Sequence, residues 1–398
     1  MDQPDAAHLF ERIDRIDAAS LRAGGSLKWT LFPDCIGAFV AEMDFGLAPA
    51  IRATLDRAAA SGLTGYPTPA LADALAHACA GWQAARHGWQ VDPQRVHAVG
   101  DVLGALEIAL RHFLPPATAV VLPTPAYMPF RPLLSLLGHR VVEVPHRPVD
   151  GTWRMDLDAI EDALRGGAGL VLLCNPHNPT GRVFEAGELR ALARLVEHHG
   201  ARVFTDEIHA PLVYAGSAHV PYATVSEAAA RHAITAVSAS KGWNLAGLKC
   251  AQLILGNDDD LALWRRIHLL AGHGASALGM AAATAAWREG GPWLAQVLAY
   301  LARNRDTLAE ALPRQLPGAR CIVPQGTYLA WIDCRNLPLP ADVPPARFFR
   351  RDARVALTEG SDCGAAGTGF VRLNFAMPRP LLLEALARMA EALHRRGD

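Results

Sequence analysis

Lys241 stands in the stretch Ser238-Ala-Ser-Lys241-Gly-Trp-Asn-Leu-Ala-Gly247-Leu-Lys249, directly after the apolar run Ile234–Val237. A lysine amine that is partly deprotonated condenses with an aldehyde to form a Schiff base. Lys249, a second cation eight positions on, would lower the pKa of that lysine and is also placed to bind a phosphate. Ser238 and Ser240 add hydroxyl donors. In isolation such a stretch reads more simply as two surface lysines on a loop. A second apolar run, Arg202–Thr205, closes on Thr205-Asp206-Glu207-Ile208-His209. A carboxylate at a strand's end can keep a pyridine-type nitrogen protonated, which makes the ring an electron sink. A helix N-cap or a surface ion pair is the plainer use of one aspartate. A third run, Leu170–Cys174, leads into Asn175-Pro-His-Asn178-Pro-Thr-Gly181. Two prolines and a glycine make a rigid turn, which aims the Asn178 amide as a donor for a phenolic oxygen or merely redirects the chain. Finally, Gly100-Asp-Val-Leu103 precedes the helical run Leu106–Phe113, and free N–H groups at a helix start bind phosphate. Tyr127 offers a flat ring for stacking, or fills core.

The elements that must position these groups follow from the same pattern. Strands are expected at Ala119–Leu122, Arg140–Val144, Leu170–Cys174, Arg202–Thr205, Ile234–Val237 and Ala251–Leu255, with helical spacing between them. Strands this apolar belong to a sheet covered on both faces, hence an α/β fold with a mainly parallel sheet. Ligands in such sheets sit beyond the carboxyl ends of the strands, where the polar motifs fall. The large domain is expected at about residues 50–280. Gly279–Leu316 reads as one or two helices broken at Gly290-Gly291-Pro292, Thr327–Ile332 as a strand and Pro380–Arg396 as a helix. Residues 281–398 and the segment 1–49 are expected to build a second, smaller α+β domain.

A chain of 398 residues with 51% hydrophobic residues is long enough for two domains. Its net charge of -1 gives no basic surplus for nucleic acid. The seven cysteines are scattered without a C-x-x-C pair, which suits reduced thiols rather than a disulfide framework or a zinc site. Met1–Arg22 shows no apolar signal core, and no apolar run is long enough to span a bilayer. A cytoplasmic protein, without a membrane or metal role, is the expectation.

In order and wording, these motifs resemble the fold type I, class I/II aminotransferases over about Leu27 to Met377. The resemblance implies pyridoxal 5'-phosphate (PLP) as cofactor and Lys241 as the lysine that carries it. It further implies Asp206 on the pyridine nitrogen, Asn178 on the ring hydroxyl and Tyr127 stacked on the ring. Amides near Val102 and Leu103 would hold the phosphate with Ser238 and Lys249; Ser240 joins this cofactor set. Arg372, in Val371-Arg-Leu-Asn-Phe375, would bind the substrate carboxylate. A narrower group, the bacterial cystathionine β-lyases related to the maltose-regulon modulator, is similar in Ser26-Leu-Lys-Trp29, Phe39-Val-Ala-Glu-Met-Asp-Phe45 and Gly326-Thr-Tyr-Leu-Ala-Trp331. In that group Tyr66 of Gly65-Tyr66 reaches the phosphate of the neighbouring subunit, which implies a homodimer with shared sites. His209 stands where many aminotransferases carry tyrosine. This chain departs from the group at Phe39, Glu42 and Gly242-Trp243.

The reaction that the resemblance implies is β-elimination from L-cystathionine or a related cysteine S-conjugate, giving a thiol, pyruvate and ammonia. Two other readings stay open: an aminotransferase using the same cofactor, and a regulatory protein that binds a transcription activator.

Overall fold

The structure is a computed structural model that describes residues 3–397. Its centre is a seven-stranded sheet built from β1 (Val96–Val99), β2 (Ala119–Thr124), β3 (Val141–Pro145), β4 (Ala168–Cys174), β5 (Arg202–Asp206), β6 (Ala233–Val237) and β7 (Ala251–Leu255). The spatial order is β1-β7-β6-β5-β4-β2-β3. Pairings from β3 through β6 are parallel, and β7 alone runs antiparallel to both of its neighbours. The expected strands are thus present, each within two residues of its anticipated ends. The exception is β1, whose Val-His-Ala-Val run is too short and too weakly patterned to stand out.

Successive side chains explain why these strands read as continuous apolar runs. Leu170, Leu172 and Cys174 of β4 enter one core, and Val171 and Leu173 enter the other. The first core packs against helix α3 (Val102–Ile108), which continues as a π-helical turn to Phe113. The second packs against α4 (Ala186–His198). Helices α1 (Pro49–Ala60) and α2 (Pro69–His87) pack on α5 (Ala277–Glu289), which is followed by α6 (Gly291–Gln315). The break between α5 and α6 falls at Gly290, as the Gly-Gly-Pro sequence implies.

A smaller antiparallel sheet, β8 (Arg320–Cys321), β9 (Leu329–Asp333), β10 (Thr358–Glu359) and β11 (Phe370–Asn374), is ordered β8-β9-β11-β10. The C-terminal helix α7 (Arg379–Gly397) packs against α6. The N-terminal chain joins this part through Ile36–Gly37, which pairs in parallel with Val355–Ala356. Among the described residues no helix is long and apolar enough to cross a membrane.

Beyond that pairing, Phe39 to Asp44 runs as a strap whose backbone oxygens from Phe39 to Met43 all accept hydrogen bonds. Asn374 Nδ2 donates to the carbonyls of Val40 (2.6 Å) and Glu42 (2.7 Å). Asn244, in left-handed backbone conformation, donates to Met43 O and accepts from Met43 N, both at 2.9 Å. The strap ends on a buried ion pair, Lys28 Nζ to Asp44 Oδ2 at 2.8 Å. Lys28 also donates to the carbonyls of Glu42 and Ala376, and the Trp29 indole donates to Asp44 Oδ1. Gly37 permits this crossing, because a Cβ there would overlap the Lys28 carbonyl. The Leu-Lys-Trp and Met-Asp-Phe stretches are therefore two halves of one latch.

Candidate active site

One cavity of about 720 Å³ opens at the carboxyl ends of β4, β5 and β6. It is lined by Lys241, Asp206, Asn178, His209, Tyr127, Val102, Leu103, Ser238, Ser240, Lys249 and Arg372. Every sequence-expected site residue except Tyr66 is thus brought to one place. Tyr66 lies 91% exposed on the surface, away from this chain's cavity.

Lys241 is carried on a short helical turn, Ala239–Gly242, that follows β6 and is capped by Ser238. Its Nζ donates to Ala41 O of the strap at 2.9 Å, an acceptor it shares with the Tyr328 hydroxyl. Burial, and then the Arg372 charge, bring the Lys241 amine down to about 8, against the pull of Glu42 and Asp206. This corrects the role expected of Lys249. That lysine pairs with Asp101 at 2.6 Å, and Arg372 supplies the charge that acts on Lys241.

Asp206 ends β5 fully inside the protein. Its Oδ1 accepts from the Ile208 N–H at 3.0 Å, and its Oδ2 faces only the Cys174 thiol at 3.9 Å. Burial raises its carboxyl to about 7. Asn178 follows β4 in the turn held by Gly181, whose positive φ and contact with Pro324 leave no space for a Cβ. The Asn178 Oδ1 accepts from Arg372 Nη1 at 3.0 Å, leaving its amide nitrogen for an acceptor in the cavity. Arg372 is buried on β11. Its Nη2 donates to Phe39 O (2.8 Å) and Thr358 Oγ1 (3.1 Å), while its Nε has no partner. Burial, with the Lys241 and Arg372 charges, holds His209 neutral, and its Nδ1 is unpartnered.

At the other side, Asp101 caps α3 through Gly104 N (2.8 Å), next to the Val102 and Leu103 amides. The Ser238 hydroxyl donates to Cys250 O at 2.8 Å, so its single proton is engaged within the protein. The Ser238 and Ser240 hydroxyl oxygens also lie 3.0 Å apart, so the two form one hydrogen-bonded pair.

Three groups carry the argument. Lys241, Asp206 and Arg372 are charged or chargeable, sit in one cavity, and have no counter-ion within ion-pairing distance among the described residues. Leaving charges buried and unpaired costs several kcal/mol unless a ligand completes them. The missing partners are a carbonyl carbon for an amine, a protonated ring nitrogen for Asp206 and a carboxylate for Arg372. PLP with an amino acid supplies all three, so the residues present fit that group.

Sequence reasoning missed Asp101, Tyr328, Thr358 and the strap carbonyls. Asp101 carried a local signal, as an aspartate immediately before an apolar helix, where N-caps occur, and Tyr328 lay within the resembling stretch Gly326–Trp331. The others act through backbone atoms or from strands far away in the chain.

The large sheet with its one reversed strand, the smaller antiparallel sheet and the lysine after β6 define a fold type I PLP-transferase architecture. The chain belongs to the aminotransferase class I and II family, whose match covers residues 35–389. It is 38% identical to a cystathionine beta-lyase of Corynebacterium glutamicum, over 92% of this chain and 96% of that one. The cystathionine beta-lyase PatB of Bacillus subtilis is 32% identical over the same shares. Cystalysin of Treponema denticola, whose crystal structure contains PLP, superposes with a TM-score of 0.88 at 27% identity, covering 96% of this chain and 98% of that one.

Proposed function

We infer that this protein is a PLP-dependent carbon–sulfur β-lyase that cleaves L-cystathionine or related cysteine S-conjugates to a thiol, pyruvate and ammonia. The observation that carries the reading is the set of three uncompensated charges in one cavity, together with relatives that are named for this reaction. Bound PLP supplies a carbonyl for amines and a protonated ring that draws electrons from the substrate's α-carbon.

The chain's own residues do the rest. Lys241 holds the cofactor and, once displaced by the substrate amine, takes the α-proton on Nζ; an amine near 8 suits that exchange at neutral pH. Arg372 fixes the substrate carboxylate through its charge and the one Nη1 proton that Asn178, Phe39 and Thr358 leave uncommitted. Asp206 keeps the ring nitrogen protonated, Asn178 donates to the ring oxygen and Tyr127 stacks on the ring face. The Val102 and Leu103 amides, with Ser238, Ser240 and Lys249, take the phosphate, and Ser238 also caps the turn that presents Lys241. His209, neutral and unpartnered at Nδ1, completes the cofactor pocket. The Tyr66 hydroxyl reaches the same phosphate from a second copy of the chain, which makes the working unit a homodimer with shared sites. All seven cysteines are free, which accords with a cytoplasmic setting.

Incubating PLP-loaded protein with L-cystathionine, with and without a 2-oxo acid, tests the reading. Pyruvate should form without the acceptor. Product that appears only with the acceptor would instead make the protein an aminotransferase.

A further inference from the structure

The cavity around Lys241 is also walled by residues that the reaction at the α-carbon does not need. Phe32, Phe39 and Leu357 are apolar, and Arg347 and Asp362 are charged. Nearby charges are already engaged. Arg350 lies over the Phe32 ring at 4.7 Å, Arg351 pairs with Asp352, and Glu359 accepts from the Ala346 and Gly360 amides at 2.9 and 3.1 Å. Through Ala346, Glu359 pins the short helix Pro345–Phe348 that carries Arg347. Arg347 itself makes no hydrogen bond or ion pair among the described residues, and neither does Asp362 on the turn Gly360–Cys363. A fixed turn thus presents one unpaired cation and a second turn one unpaired anion, both on the wall of a cavity with apolar sides.

We propose that this outer chamber receives the far end of the leaving thiol, with Arg347 on its carboxylate and Asp362 on its ammonium. The proposal rests on the lyase reading and narrows it. The favoured substrates are cysteine S-conjugates whose sulfur bears a zwitterionic chain, as in L-cystathionine, and the apolar walls pack its methylenes.

Four substrates of equal chain length separate the contributions: L-cystathionine, S-(3-carboxypropyl)-, S-(3-aminopropyl)- and S-propyl-L-cysteine. On PLP-loaded enzyme, kcat/KM for pyruvate release and Kd from the cofactor's visible absorbance are both measured. Wild type should prefer the carboxypropyl over the propyl compound by about ten-fold or more. Arg347→Ala should erase that ratio and Arg347→Lys should keep part of it, since lysine lacks the planar fork. Asp362→Asn should erase the preference for the aminopropyl over the propyl compound. Equal constants for the carboxypropyl and propyl compounds in wild type, or an unchanged ratio in Arg347→Ala, overturn the proposal. An aminopropyl preference that survives in Asp362→Asn overturns its ammonium half. If none of the four yields pyruvate, the lyase reading fails, and the Kd ratios still decide the chamber's role.

Discussion

Arg372 and Asp206 illustrate how a buried charge without a partner announces its ligand. For Arg372 the fork is oriented by Asn178, Phe39 and Thr358, which leaves its charge and one Nη1 proton for a substrate. Arg372→Ala removes a charge-assisted pair worth about 3 kcal/mol or more, and kcat/KM should fall by roughly 10²-fold or more. Steady-state kinetics with an amino-acid substrate provide the check, and near wild-type values would move the carboxylate site elsewhere. For Asp206 the sign of the pH effect can be worked out. Its carboxyl is raised from 3.8 to about 7 in the folded protein, so the unfolded chain ionises first. The resulting cost to the apoprotein is absent below about pH 4, grows as pH rises and is complete above 7. Apo Asp206→Asn should therefore melt above apo wild type at pH 8, and the gap should narrow toward pH 5. The same variant should retain PLP less well, because the ring nitrogen loses its anion. Calorimetry of the apoproteins and dialysis of the loaded forms read the two effects separately.

At the scale of elements, the strap Phe39–Asp44 joins the large sheet's lysine turn to the smaller sheet. Its carbonyls accept from Lys241, Tyr328, Arg372 and Asn374, and its far end is locked by Lys28 and Asp44. Removing one member of a buried pair strands the other, which typically costs about 3–5 kcal/mol. Lys28→Met should lower unfolding stability by that order, and Lys28→Met/Asp44→Leu by less than Lys28→Met alone. Chemical denaturation of the two variants tests this. A double variant weaker than the single one would show that the pair's attraction outweighs its desolvation.

Over the whole molecule, both expected domain cuts fall inside helices, 49/50 at the first residue of α1 and 280/281 within α5, whose contacts run back to α1 and α2. The exposed Tyr66 hydroxyl makes no use of its own cavity, which is what a residue serving a second copy requires. A hydrogen bond from it to a phosphate contributes about 1.5–3 kcal/mol, so Tyr66→Phe should weaken PLP retention by roughly 10–100-fold. Mixing Tyr66→Phe with Lys241→Ala chains gives heterodimers in which one of the two sites has both residues intact. Recovery of activity and of PLP retention in isolated heterodimers is the expected result. No recovery, or full activity in a verified monomer, would rule out sharing.

The strands and the polar residues placed just after β4, β5 and β6, Lys241 among them, were legible in the chain because their placement depends on local rules, whereas the role of Lys241 came from the resemblance. Apolar runs buried on both faces make strands, and polar residues just after them face the ligand side of the sheet. Arg372 and Tyr66 were legible only through resemblance, since nothing local distinguishes them from other arginines and tyrosines. What the tertiary structure decided was pairing across long separations. Lys249 looked like the cation acting on Lys241, but folding hands it to Asp101 and brings Arg372, 131 positions along the chain from Lys241, into that role. The strap's carbonyls have no sequence signature, because any residue type carries one. Only the packing of an N-terminal segment between two sheets gives them donors, and burial without counter-ions, which sets the chemistry of Lys241, Asp206 and Arg372, exists only once the chain has closed around them.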